Sequence, residues 1–124
     1  MGRVVHFEVD ADDPARAAKF YSDAFGWEVQ SWGGPIEYWL ATTGSGEGPG
    51  INGGIQRREA GTANHSFTCT LDVVNLDEAV AKVMAAGGVI VRHRHAVPGV
   101  GWVAYARDTE GNLFGMMQTD TKAK

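Results

Sequence analysis

Apolar and polar residues alternate along Arg3-Val4-Val5-His6-Phe7-Glu8-Val9-Asp10. A period of two predicts a half-buried strand, with Val5, Phe7 and Val9 on one face and His6 and Glu8 on the other. Asp12-Asp13-Pro14 follows, an acidic cap before a proline, which is a helix start. Ala17, Phe20, Tyr21, Ala24 and Phe25 then recur at helical spacing, and Gly26 predicts a left-handed end to that helix. Strands are predicted over 27–32, 37–42 and 51–58, divided by the Gly33-Gly34-Pro35 turn and the glycine-rich loop 44–50.

The same order then recurs. Residues 66–72 alternate again, with Phe67, Cys69 and Leu71 expected toward a helix and Cys69 therefore buried. Asn75 with Glu78 three residues on reads as a capped helix start, Val80, Val83 and Met84 as its apolar stripe, and Gly87-Gly88 as its end. Strands are predicted over 89–94, 101–107 and 112–118, with turns at Pro98-Gly99 and at Asp108-Thr109-Glu110-Gly111. Gly26 and Gly88, Gly53 and Gly115, Gln56 and Gln118, and His6 and Thr68 all stand 62 positions apart. The pattern is a repeated strand–helix–three-strand module, the first over about residues 3–58 and the second over about 65–118, with 119–124 as a flexible tail. One such module is too small to bury a stable core alone, so the two are expected to form a single domain.

Composition narrows the function. The chain has 124 residues and a formal net charge of −4, with no long basic run, so neither nucleic acid nor an anionic membrane is an expected partner. Hydrophobic residues make up 44 % and charged residues 21 %, the balance of a globular chain. One cysteine leaves no internal disulfide, which points to a reducing compartment, and the early acidic residues do not suit a signal peptide, so a cytoplasmic location is expected. No apolar run is long enough to span a membrane as a helix. Gly is 17 of 124, about twice its usual share, and the excess falls largely at caps, turns and the repeated positions.

The chemistry gathers at a few positions. His6 and Glu8, two apart on a strand, share a face; as a pair they suit a metal ligand, or a general base whose pKa a carboxylate would raise. A polar pair lining a site that only binds is the other reading. His93 and His95 have the His-x-His spacing of a metal pair, but Arg92 and Arg94 flank them, and a charged edge strand accounts for them as well. Tyr38, Trp102, Phe114 and Met116 are large enough to line a cleft for a flat or apolar organic ligand, although part of this aromatic set must instead pack under the helices. Gly44-Ser45-Gly46-Glu47-Gly48 lacks the Lys-Ser/Thr of a phosphate loop, and 108–112 reads as a turn and not as a calcium loop.

Three segments resemble the vicinal oxygen chelate superfamily, which includes glyoxalase I, bleomycin-resistance proteins and extradiol dioxygenases. They are Val4-Val5-His6-Phe7-Glu8-Val9 with Phe20-Tyr21-Ser22-Asp23-Ala24-Phe25-Gly26-Trp27, then 78–88, then Asp108-Thr109-Glu110-Gly111-Asn112-Leu113-Phe114-Gly115. The resemblance spans residues 3–118. It implies an α+β fold in which two tandem βαβββ modules form a curved mixed sheet with a concave ligand cleft and helices packed behind. It also implies a homodimer. In metal-binding members, His and Glu side chains on the first and last strands of each module hold a divalent ion. Of those positions this sequence keeps only His6; Thr68, Gly53 and Gly115 fill the others, so no metal site and no cofactor are expected. Two functions remain open. One is a glyoxalase-like lyase or isomerase, or a dioxygenase relative, acting on a small oxygen-rich molecule with His6 and Glu8 as catalytic residues. The other is a non-catalytic binder that sequesters a small molecule, as bleomycin-resistance members do. Tyr38, Trp102, Phe114, Met116, Thr68 and Thr70 are the expected ligand-contacting residues in either case.

Overall fold

A computed structural model of the chain describes residues 2–59 and 66–124. The expected start of the second module at residue 65 lies outside the described residues. The elements follow the predicted order: β1 (Val4–Ala11), α1 (Pro14–Phe25), β2 (Glu28–Ser31), β3 (Trp39–Thr42), β4 (Gly53–Arg57), β5 (Phe67–Asp72), α2 (Leu76–Ala85), β6 (Val89–Val97), β7 (Gly101–Arg107) and β8 (Leu113–Thr119). The fold is α+β, and the chain divides into two compact units, His6–Phe67 and Thr68–Lys124 with the N-terminal residues up to Val5.

In the first unit the strands run in the order β2-β3-β4-β1. β1 and β4 are parallel, because α1 carries the chain back over the sheet, and the remaining pairs are antiparallel. Asp13 caps α1, its side chain accepting from the Arg16 N–H at 3.2 Å, and Pro14 supplies the fixed φ of the first turn. Gly26 ends the helix at φ 73°, a left-handed conformation that costs a side-chain-bearing residue more. The core is Phe7, Val9, Ala11 and Ile55, with Ala17, Ala18, Tyr21, Trp27, Val29 and Trp39 against it. Full burial of Ile55 alone stabilises by about 1.5–3 kcal/mol. Of the predicted helical stripe, Ala17 and Tyr21 reach this core, whereas Phe20 is 58 % and Phe25 68 % exposed. α1 packs over β2 and β4, and a stripe that wide extends past the strands it covers.

The second unit repeats the arrangement with order β5-β8-β7-β6, β5 parallel to β8. Asn75 caps α2 by accepting from the Glu78 N–H at 3.0 Å. Leu76, Ala104, Ala106 and Met116 form its core. Cys69 is exposed, not buried as the alternation suggested. Its partner in the register is Phe114, so it does face the helix side, but α2 packs over β6, β7 and β8. The buried residues of β5 are instead Thr68 and Thr70, on the opposite face. The tail is not frayed: the Asp120 N–H donates to the Val100 carbonyl, the Gly99 N–H donates to the Ala123 carbonyl, and Ala123 is buried.

Candidate functional site

The pleat of β1 sends Phe7 and Val9 into the helix-side core and leaves His6 and Glu8 on the other face. In the parallel register Glu8 stands beside Gly54, and Leu40 flanks Gly54 on its other side. Glu8 is 6 % exposed and His6 half-buried. Tyr38, just before β3, reaches over this face: its Oη lies 2.7 Å from His6 Nε2, and the two rings are stacked 6.4 Å apart at 19°. When the imidazole carries its proton on Nδ1, the phenol O–H donates to Nε2. The Tyr38 backbone is itself held, since its carbonyl accepts from the Trp32 N–H at 2.8 Å, and the Trp32 ring meets the phenol edge-on.

Two influences act on His6. Burial lowers its pKa from the ordinary 6.5, and the charge of Glu8 pulls it back up; burial is the larger. The imidazole is therefore neutral at physiological pH. Sequence reasoning anticipated the opposite direction, because spacing displays the carboxylate but not the desolvation. Spacing does not display the partner on Nε2 either: that hydrogen bond is with Tyr38.

Gly54 makes this arrangement possible. A Cβ built there would overlap Tyr38 Oη, Cζ and Cε2. Gly53 has a different reason to be glycine: a Cβ there would come 2.5 Å from the Phe7 carbonyl oxygen and 2.7 Å from its ring, on the helix side. The position that shares a face with His6 and Glu8 is thus Gly54, and not Gly53 as the 62-residue spacing suggested. Finding it requires the register of two strands far apart in sequence.

The second unit carries the same frame with other residues. Tyr105 is the register neighbour of Gly115 on β7, and a Cβ at Gly115 would sit 3.1 Å from its ring and 3.3 Å from Thr70 Oγ1. Gly115 is beside Thr70 in the register, as Gly54 is beside Glu8. His95 stacks on Tyr105 at 6.2 Å and 17°, its Nδ1 3.1 Å from the His93 carbonyl oxygen. Trp102, Phe114 and Met116 lie elsewhere. They belong to the helix-side core with Leu76, Met116 being 2 % exposed, and Trp102 donates from Nε1 to Asp120 while the Arg94 guanidinium covers its ring at 4.4 Å. Thr68 and Thr70 are on the face away from that core, with Tyr105.

The resemblance implies a divalent metal, which the donor set does not fit. On the His6 face of β1 the carboxylate beside it is Glu8, Gly54 has no side chain, and the equivalent positions Thr68, Thr70 and Gly115 offer neither imidazole nor carboxylate. Among the described residues no three His, Cys, Asp or Glu side chains gather as a metal group.

A family model described as a glyoxalase-like domain matches residues 6–117. No curated protein matches the sequence significantly. Among solved structures, methylmalonyl-CoA epimerase from Streptomyces coelicolor in complex with 2-nitronate-propionyl-CoA is 13 % identical, with 100 % of this chain and 99 % of that one covered at a TM-score of 0.70. The Mycobacterium tuberculosis methylmalonyl-CoA epimerase is 14 % identical over 96 % of this chain and 88 % of its own, at a TM-score of 0.67. A hypothetical protein from Bacillus halodurans C-125 is 12 % identical over 99 % of this chain and 98 % of its own, at 0.69. At such identities these likenesses show a shared fold.

Proposed function

The chain belongs to the glyoxalase-like domain family of the vicinal oxygen chelate superfamily, and from that premise we propose that it moves a proton at a carbon next to a carbonyl in a small organic molecule. The observation that carries this reading is the neutral, half-buried His6 joined to Tyr38 at 2.7 Å beside the buried Glu8. A neutral imidazole held in a partly desolvated site is a general base at physiological pH. The substrate takes the place of the phenol at Nε2. His6 then accepts the proton from carbon, the Tyr38 O–H hydrogen-bonds the carbonyl oxygen as negative charge grows there, and the Glu8 charge favours the imidazolium that forms. Return of the proton to the opposite face of the same carbon would epimerise, and its return to a neighbouring atom of the enolate system would isomerise. Epimerisation, the activity named for the structural neighbours, is a proton transfer of this kind.

The test is deuterium uptake. Wild-type protein in D2O is incubated with a panel of branched acyl thioesters, 2-hydroxy aldehydes and 2-oxo acids, and exchange at the carbon next to the carbonyl is followed by NMR. Exchange with at least one class, abolished by His6→Ala, supports the reading; tight binding without exchange overturns it in favour of sequestration. The last is the second reading, supported by the lack of a fitting metal donor set, and it keeps Tyr38 as a ligand contact. A homodimer is part of the proposal: Phe20 and Phe25 offer apolar surface that a second copy would cover. So is a reducing cytoplasmic setting, which suits an exposed unpaired Cys69.

A further inference from the structure

We propose that Gly54 is a positioning residue for the His6 site: its missing side chain is the slot that lets the Tyr38 phenol reach Nε2 and hold the ring. The proposal rests on the reading of His6 and Tyr38 as the reacting pair, but its test does not. Three observations converge. Tyr38 stands just before β3, and its carbonyl accepts from the Trp32 N–H at 2.8 Å, which sets the backbone from which the phenol reaches His6. The space above Gly54 is filled by the outer end of the phenol, since a Cβ would overlap Oη, Cζ and Cε2 and no other residue is among the three nearest atoms. Glu8 stands beside Gly54 in the register, which seats the phenol in the same row as the buried carboxylate. A methyl group at 54 leaves the strand free to keep its φ, because Gly54 has no left-handed conformation, and so meets the Tyr38 phenol first. Gly54 touches no reacting atom; it acts through the phenol.

The closing experiment is a double-mutant cycle read on His6 by nitrogen-15 NMR at pH 8, where the imidazole is neutral, with thermal melts alongside. Gly54→Ala is expected to move the His6 Nε2 signal to the value seen in Tyr38→Ala. In a Tyr38→Ala background Gly54→Ala is expected to change neither that signal nor the melting temperature. A wild-type Nε2 signal in Gly54→Ala overturns the proposal, and so does a Gly54→Ala effect that persists undiminished in Tyr38→Ala. Should Gly54→Ala alone fail to fold, the double variant decides: folding restored by Tyr38→Ala supports the slot, and a double variant that stays unfolded while Tyr38→Ala folds overturns it. The signal does not depend on turnover. A cycle that behaves as expected beside absent deuterium exchange retires the proton-transfer reading and leaves the slot standing.

Discussion

Both units set a tyrosine against a glycine, but by different routes and with different chemistry beside it: Tyr38 reaches in from outside β3, whereas Tyr105 is the register neighbour of Gly115 on β7. In the first, the phenol of Tyr38 covers Gly54 next to Glu8 and meets His6. In the second, Tyr105 and Thr70 flank Gly115 in the register, and the position equivalent to His6 is Thr68. Each unit even stacks a histidine on its tyrosine, but His6 comes from the first strand and His95 from an edge strand whose register shifts twice between Ile90 and His95. The scaffold is thus repeated while the ionisable pair is confined to one unit. Proton transfer needs an imidazole held at a defined distance, and of the two equivalent positions His6 supplies one and Thr68 does not.

That contrast can be broken most severely at the reactive positions. His6→Ala should lower the deuterium-exchange rate by about 10²–10⁴-fold, the usual worth of a general base, while Thr68→Ala, which removes no ionisable group, should cost far less. Comparable losses in the two variants would end the claim that the units differ in chemistry. The cores should behave alike instead. Ile55→Ala and Leu76→Ala each remove a side chain with no exposed surface, and each should cost about 2–5 kcal/mol in urea unfolding. A small cost in one alone would mean that the units do not pack equivalently. Helix starts come next: Asp13→Ala and Asn75→Ala should each cost about 1 kcal/mol, since each removes one side-chain acceptor from a first-turn N–H.

The smallest effect is on pH dependence, and it belongs to the first unit. The folded His6 pKa lies below the ordinary 6.5, so between the two values the unfolded chain binds more protons. Stability should therefore be lost as pH falls below 6.5 and reach its lower plateau beneath the folded pKa. His6→Gln should flatten that part of a melting-temperature profile, and an unchanged profile would show that burial of His6 does not govern it.

Much of this fold was legible in sequence because its signals are local. Asp13-Pro14, Gly26 and Asn75 mark helix ends within a few residues, and alternation along 101–107 is readable without a partner strand. Face assignment failed where it depended on coverage. Cys69 points to the helix side and is nevertheless exposed. Trp102, Phe114 and Met116 were candidates for the ligand face because they are large; the pairing of β7 with β8 and the position of α2 put them in the core. At the site, alternation was enough to select His6 and Glu8. The bond to Tyr38 joins residues 32 positions apart, and the part played by Gly54 depends on a register between β1 and β4 that no local pattern encodes.

The exposed sulfur of Cys69 has a practical consequence for any measurement of assembly. It is the chain's single thiol, and it lies at the surface. In air-oxidised buffer two chains can be joined covalently through it, and the product would elute at the mass of a dimer whatever the apolar surface of α1 does. Sizing experiments on this protein therefore need a reductant or a Cys69→Ser background. The same thiol, left intact and alkylated with a fluorescent maleimide, places one dye per molecule on the strand that carries Thr68 and Thr70.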